Sequence, residues 1–446
     1  MQTRPAFSVP NGPLKTLHEG VLLQPLLSIK EILVSEPFTP CPDLPRAHIV
    51  AGYRRTSHIV PAACPRSLPP QAPLRQQFKD GSSGDAKTMS KALIDAKLAF
   101  EGEEMRNKCR GASNAVMWNC VDRYVPAKPA VDQHKAGLTL FLTHANGSPR
   151  QIWEPTLEHL LKKMQGHPSV AIDEIWSFES VQHGDSALFN EHNLSDVFDW
   201  QDQCRDILNF LLNYLPQRSD TASLPVQLER VTTAPGATRR CVTGIGHSYG
   251  GTTLARAALA EPDLFHRLIL VEPMIVPPSF TRGKGLDLLL KSALSKVQRW
   301  PSRSHAKQAF LQHPATKTWD PAVIDTFVEH GLVECGDDSS SPQSVRLKTS
   351  PFDEAVVYCE WNVCYEAWTG LKDLDMRIAL HWIMSARTNV TTGGEAMTQE
   401  TVWRRTCNTT NVRLPEAGHL AVHEAPEAVA SEILNALSSE EPKSML

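Results

Sequence analysis

The chain is predicted to be an α/β protein: a mostly parallel sheet flanked by helices, with a helical cap inserted late in the sheet order. Three observations predict it. The run from Arg240 to Ile245 reads as a buried strand, and the alanine-rich stretch Thr252 to Leu259 reads as the helix after it. Further short apolar runs end in polar residues: Gly137 to Thr143, Leu268 to Val271, Ile378 to Met384, and the alternating Val412 and Leu414. Between Ile275 and about Leu371 the strand pattern stops and helical spacing replaces it.

The turn of the first run carries the chemistry. Gly246-x-Ser248-x-Gly250 places a serine between glycines at a strand-to-helix turn, where the central residue is forced into a strained backbone and its neighbours must lack bulk. Ser248 is therefore the candidate nucleophile. The backbone N–H of Tyr249, at the mouth of the helix, points where charge develops on an attacked carbonyl. A dinucleotide fingerprint starting at Gly244 fails on spacing, because its third glycine falls on Tyr249.

A serine nucleophile needs a base, and in this topology the histidine comes last in the chain. His419 follows the strand pattern of Val412 and Leu414, just after Ala417-Gly418, and precedes an amphipathic C-terminal helix opened by Glu424 to Glu427. His423 is its rival, read as a surface or capping residue at the helix entrance. The acid that orients the imidazole has two candidates. Glu272 stands at the end of the Leu268–Val271 strand, on the sheet edge where Ser248 lies, whereas Glu395 follows the Thr391-Thr392-Gly393-Gly394 turn after the next strand. Glu272 is preferred. A second oxyanion donor is expected from the loop after Gly137–Thr143, as the backbone N–H of Ala145 or Asn146, with His144 bracing that loop.

His144-Ala145-Asn146-Gly147, Trp153-Glu154-Pro155, His183-Gly184-Asp185-Ser186, the Ser248 turn, Glu272-Pro273 and Gly418-His419 together resemble fungal α/β-hydrolases. That group includes the yeast peroxisomal lipase, host-selective-toxin biosynthetic hydrolases and the acyl-CoA hydrolase of mycophenolic acid biosynthesis. The resemblance runs from roughly Asn114 to the C-terminus. It implies the α/β-hydrolase fold, an acid at the Asp-Pro position that lands on Glu272, and a fatty acyl ester or CoA thioester as substrate. Glutamate in place of aspartate is a departure; its longer side chain can make the same hydrogen bond.

The implied activity is a serine hydrolase working through an acyl-enzyme, with no metal or organic cofactor. An acyltransferase would use the same residues, and a non-catalytic ligand-binding version of the fold is the alternative from another class. The intact Ser248, His419 and Glu272 set speaks against the latter.

With 446 residues, 41% hydrophobic content and a net charge of -4, the chain can bury a full core and shows no bias toward nucleic acid. No apolar run reaches membrane-spanning length, and the N-terminus lacks a signal segment. The ten cysteines are scattered, and Cys359 and Cys364 lack the spacing of a zinc knuckle. Glycosylation at the Asn146 sequon would block the oxyanion loop, which argues against the secretory route.

Residues 1–89 differ in kind. More than a third of the 33 prolines lie before Asp80, and Gly81 to Asp85 reads as a linker. This stretch is expected to be a mostly disordered extension, with Met89 as a possible functional start. The core then occupies 90–274 and 372–446, and the helical cap 275–371, whose Leu286, Leu289, Leu290, Phe310 and Phe327 face either an acyl pocket or the core. The ending Ser444-Met445-Leu446 resembles a peroxisomal address read by an import receptor, with Met445 departing from the usual basic residue; the expected location is the peroxisome, with the cytoplasm as alternative.

Overall fold

A computed structural model describes residues 4–10, 21–31, 48–67, 74–78, 83–128, 137–165, 170–217, 223–231, 240–280, 283–335, 343–387 and 392–438. The ending Ser444-Met445-Leu446 lies outside them. Nine strands form the main sheet: β1 (His48–Val50), β2 (Tyr53–Pro61), β3 (Trp118–Pro126), β4 (Leu138–Thr143), β5 (Ile172–Phe178), β6 (Val242–His247), β7 (Phe265–Val271), β11 (Ala379–Ser385) and β12 (Thr409–Leu414). Three more, β8 (Arg299–Trp300), β9 (Leu332–Glu334) and β10 (Val345–Leu347), make a separate small sheet.

The main sheet runs β1-β2-β3-β5-β4-β6-β7-β11-β12. From β5 onward all neighbours are parallel, while β1, β2 and β3 join in antiparallel register. Helices cover both faces of the parallel part, so its strands are apolar on both sides: every residue of β6 is buried. The chain leaves β4 for β5 on one side and returns to β6 on the other. This reversal opens a crevice beyond the carboxyl ends of β4 and β6, the place where open parallel sheets hold ligands. Apolar clusters fill both faces. On one, Phe141, Trp176 and Phe210 pack ring against ring at 5.1 to 5.7 Å.

The expectation of a disordered extension before residue 90 is corrected. The nine residues of β2 pair one for one with β3, and His58, Ile59 and Val60 are each 1% exposed. Helix Ser83–Glu101 begins inside the stretch read as a linker and runs through Met89. Segments of the proline-rich part are also docked. Arg413 N–H donates to the Pro5 carbonyl at 2.8 Å and Phe7 N–H to Asn411 Oδ1 at 2.7 Å, covering the outer edge of β12. Farther on, the Gln24 and Leu27 carbonyls accept from the buried Arg256 and Arg205 at 2.5 and 3.0 Å. Proline stops a ladder from forming but not such edge contacts, and the chain's polar groups find partners in arginines distant in sequence.

The segment 275–371 carries helices Gly283–Leu294, Arg303–Gln312, Pro321–His330, Pro351–Tyr358 and Asn362–Gly370. The small antiparallel sheet β8-β10-β9 was not anticipated. Leu286 and Leu290 pack into the main core, and Phe310 and Phe327 pack against Trp300 and Trp319 at 5.3 and 5.5 Å, so four of the five apolar residues singled out there serve packing. No helix among the described residues is long and apolar enough to cross a membrane.

Candidate active site

Ser248 sits where β6 turns into helix Tyr249–Ala260, with φ 54° and ψ −120°. The turn is this tight because the glycines around it allow backbone to touch backbone. A Cβ on Gly246 would meet Gly251 Cα at 2.5 Å, and one on Gly250 would meet the His144 carbonyl at 2.5 Å. Ser248 N–H donates to the Val271 carbonyl at 2.9 Å, which ties the strained residue to the end of β7.

From there the structure brings three predicted residues into line. Ser248 Oγ lies 2.9 Å from His419 Nε2, and His419 Nδ1 lies 3.1 Å from Glu272 Oε2. Glu272 is fully buried, and its backbone also has positive φ, 44°. Its N–H bonds the Ile383 carbonyl at 3.0 Å while its Oε1 accepts from Ser385 N–H at 2.6 Å, so both main chain and side chain are fixed by β11. One carboxylate oxygen is thus committed to the backbone and the other faces the imidazole. Glu395 is elsewhere: it opens helix Glu395–Val402, is 60% exposed at its side chain and makes a two-point ion pair with Arg413 at 2.6 and 2.9 Å.

One further histidine supports His419 from behind, and a second packs against that one, with ring centroids 5.6 Å apart. His247 Nε2–H donates to the His419 carbonyl at 2.9 Å. His423 is not a surface cap but buried, with Nε2 3.0 Å from Ser148 Oγ and its ring 4.5 Å from that of Trp319. Burial holds His247 down to about 3, and His423 well below the usual histidine range, so both are neutral.

Opposite His419 lies the loop after β4. His144 Nδ1–H donates to the Ala145 carbonyl at 2.8 Å and its Nε2 accepts from Ser180 N–H at 3.1 Å, which fixes the tautomer. Burial pushes it down to about 4, so it braces the loop as a neutral ring. The Asn146 carboxamide is engaged at both ends: His183 Nε2–H donates to Oδ1 and Asn146 Nδ2–H donates to the Glu354 carbonyl, each at 2.9 Å. Tyr249 has its hydroxyl 3.0 Å from Ser180 Oγ and its ring edge-on to Trp200, and its backbone opens the helix that follows Ser248.

Beneath this loop is a buried charge network that the sequence did not reveal. Arg150 is fully buried and reaches Asp122 at 2.8 Å and Glu179 and Asp185 at 2.9 Å each. Lys348 adds a second cation on Asp185 at 2.5 Å. Burial raises the Asp185 carboxyl, but Arg150 and Lys348 outweigh it and hold the group down to about 2. Only His183-Gly184-Asp185-Ser186 was visible as a motif; its partners come from separate segments. Among the described residues no group of three or more His, Cys, Asp or Glu is placed to hold a metal ion, and no disulfide forms.

A nucleophile-type turn at the sheet's reversal point, facing a histidine and a carboxylate on later strand ends, defines the α/β-hydrolase class. The chain belongs to the alpha/beta hydrolase family, whose profile matches residues 140–432. Among its relatives, the type I acyl-CoA thioesterase mpaH of Penicillium brevicompactum is 28% identical over 214 residues, 47% of this chain and 43% of the relative. The peroxisomal membrane protein LPX1 of Saccharomyces cerevisiae is 31% identical over 139 residues, 31% of each chain. The aligned stretches thus span less than half the length of these curated relatives. The solved structure of the yeast peroxisomal alpha-beta-hydrolase Lpx1 shares the fold, with a TM-score of 0.61 over 88% of this chain and 92% of that chain at 18% identity. The resemblance to fungal α/β-hydrolases read from the motifs is borne out.

Proposed function

We propose that this protein is a serine hydrolase that cleaves an acyl ester or acyl-CoA thioester through an acyl-enzyme. The observation that carries the reading is the unbroken chain Ser248 Oγ, His419 Nε2, His419 Nδ1, Glu272 Oε2, with links of 2.9 and 3.1 Å. Ser248 attacks the acyl carbonyl as His419 takes its proton through Nε2. His419 then returns that proton to the departing alcohol or thiol, and afterwards takes one from the water that releases the acid. Glu272 accepts from Nδ1–H, holds that tautomer and stabilises the imidazolium. The N–H groups of Tyr249 and of Ala145 or Asn146 receive the oxyanion.

Similarity to a protein named as an acyl-CoA thioesterase favours a thioester, and similarity to proteins named peroxisomal favours action in the peroxisome. Pre-steady-state thiol release from a medium-chain acyl-CoA tests the reaction. A burst approaching one thiol per active site, absent in Ser248→Ala, is expected; release no faster than in that variant contradicts the reading. For location, a fluorescent protein fused to the N-terminus of the chain, with and without Ser444–Leu446, should redistribute from puncta to a diffuse signal. Identical diffuse signals contradict the peroxisomal assignment.

A further inference from the structure

The oxyanion loop is hydrogen-bonded from the inserted segment by Glu354. Glu354, on helix Pro351–Tyr358, accepts from Asn146 Nδ2–H through its main-chain carbonyl at 2.9 Å. Its side chain turns back over the next residue of the loop: a Cβ on Gly147 would meet the Glu354 carboxyl carbon at 2.9 Å and Oε2 at 3.0 Å, and Gly147 has φ 81°. The carboxylate is buried, beside the loop whose N–H groups must face a developing negative charge. Its position is therefore electrostatically wrong unless the charge is matched. Lys296, also on the inserted segment, places Nζ 2.6 and 2.7 Å from the two oxygens, and the side chain additionally hydrogen-bonds Tyr358. The other carboxylates near the loop, Glu179 and Asp185, are matched by Arg150 and Lys348. Among the described residues, the cation that meets Glu354 comes from the segment that carries it.

We propose that the Lys296–Glu354 pair is a positioning clamp for the oxyanion loop: Glu354 sets the loop's shape at Asn146 and Gly147, and Lys296 cancels the carboxylate that would otherwise oppose the transition-state charge. The inserted segment then does more than cover the site. It contributes a charge-neutral wall to the oxyanion pocket, and the rate of acyl transfer depends on it. This rests on the serine-hydrolase reading of the same site.

Steady-state cleavage of a p-nitrophenyl acyl ester by a double-mutant set tests it, with Ser248 labelling by a fluorophosphonate as a separate check on the nucleophile. Lys296→Met leaves a bare buried carboxylate near the oxyanion and should lower kcat about ten- to fiftyfold with KM within about threefold, because the repulsion acts on the transition state. Lys296→Arg keeps the charge and should stay within about threefold of the parent. In a Glu354→Gln background, Lys296→Met should cost less than about threefold, since nothing remains to neutralise. Equal losses from Lys296→Met in both backgrounds, or a parent-like Lys296→Met, overturn the clamp. A loss confined to lowered melting temperature, with kcat per folded molecule unchanged, also overturns it. Failure of the parent to be labelled at Ser248 contradicts the nucleophile assignment instead.

Discussion

On one side of Ser248, Glu272 and His419 are delivered by the ends of β7 and β12, and the links between them are short hydrogen bonds to backbone and to each other. On the other side, the loop His144–Arg150 is anchored through Arg150 to carboxylates gathered from β3 and the 179–185 turn. The first side is built on strained backbone at strand ends, where Ser248 and Glu272 both carry positive φ. The second is built on buried ion pairs that are satisfied only together. Breaking one side should therefore abolish chemistry in a folded protein; breaking the other should undo the fold around the site.

The largest effect is expected on the first side. Ser248→Ala should cost about a million-fold in kcat with the circular dichroism spectrum unchanged. Activity within about tenfold of the parent would remove Ser248 from the chemistry. Next comes the acid: Glu272→Gln should cost about a thousandfold or more, because the amide no longer stabilises His419 as imidazolium. Glu395→Gln, on an exposed pair with Arg413, should stay within about threefold. The reverse ranking would move the acid to the connection after β11.

The second side should answer in stability. Arg150→Met leaves Asp122, Glu179 and Asp185 buried without their shared cation and should destabilise by about 3 to 5 kcal/mol in urea unfolding. A change below about 1 kcal/mol would mean the network is dispensable. A smaller effect follows from the buried neutral histidines. His144 and His247 have folded values of about 4 and about 3, below the unfolded value. The unfolded chain thus binds their protons first as pH falls, so their stabilising contribution is complete above about pH 6.5 and declines below it. Between pH 6.5 and 5 each should reduce stability by at most about 1.4 kcal/mol per pH unit, and His247→Asn should make the decline shallower. A urea midpoint that is flat across that window contradicts this.

The same contrast explains what the sequence disclosed. The elbow was legible because its first glycine is dictated by a contact five residues away, Gly246 against Gly251. Glu272 and His419 were legible because strand ends announce themselves by apolar runs. β2 was not, since Tyr53-Arg54-Arg55-Thr56-Ser57-His58 reads as polar. Its Arg55 is buried against Glu154, and Ser57 against Asp122, neither foreseeable from neighbours in the chain. His423 was misplaced for the same reason, as Ser148 and Trp319 bury it from far away in sequence. β8, β9 and β10, at two to three residues each, are too short for any periodicity to register.

Fluorophosphonate labelling followed by peptide mass analysis tests the central claim most directly, that Ser248 is a nucleophile activated by His419. One adduct per chain, located on Ser248, absent in Ser248→Ala and formed at least about a hundredfold more slowly in His419→Ala, is the predicted result. An adduct on another residue, or labelling of Ser248 at the parent rate when His419 is gone, would contradict it.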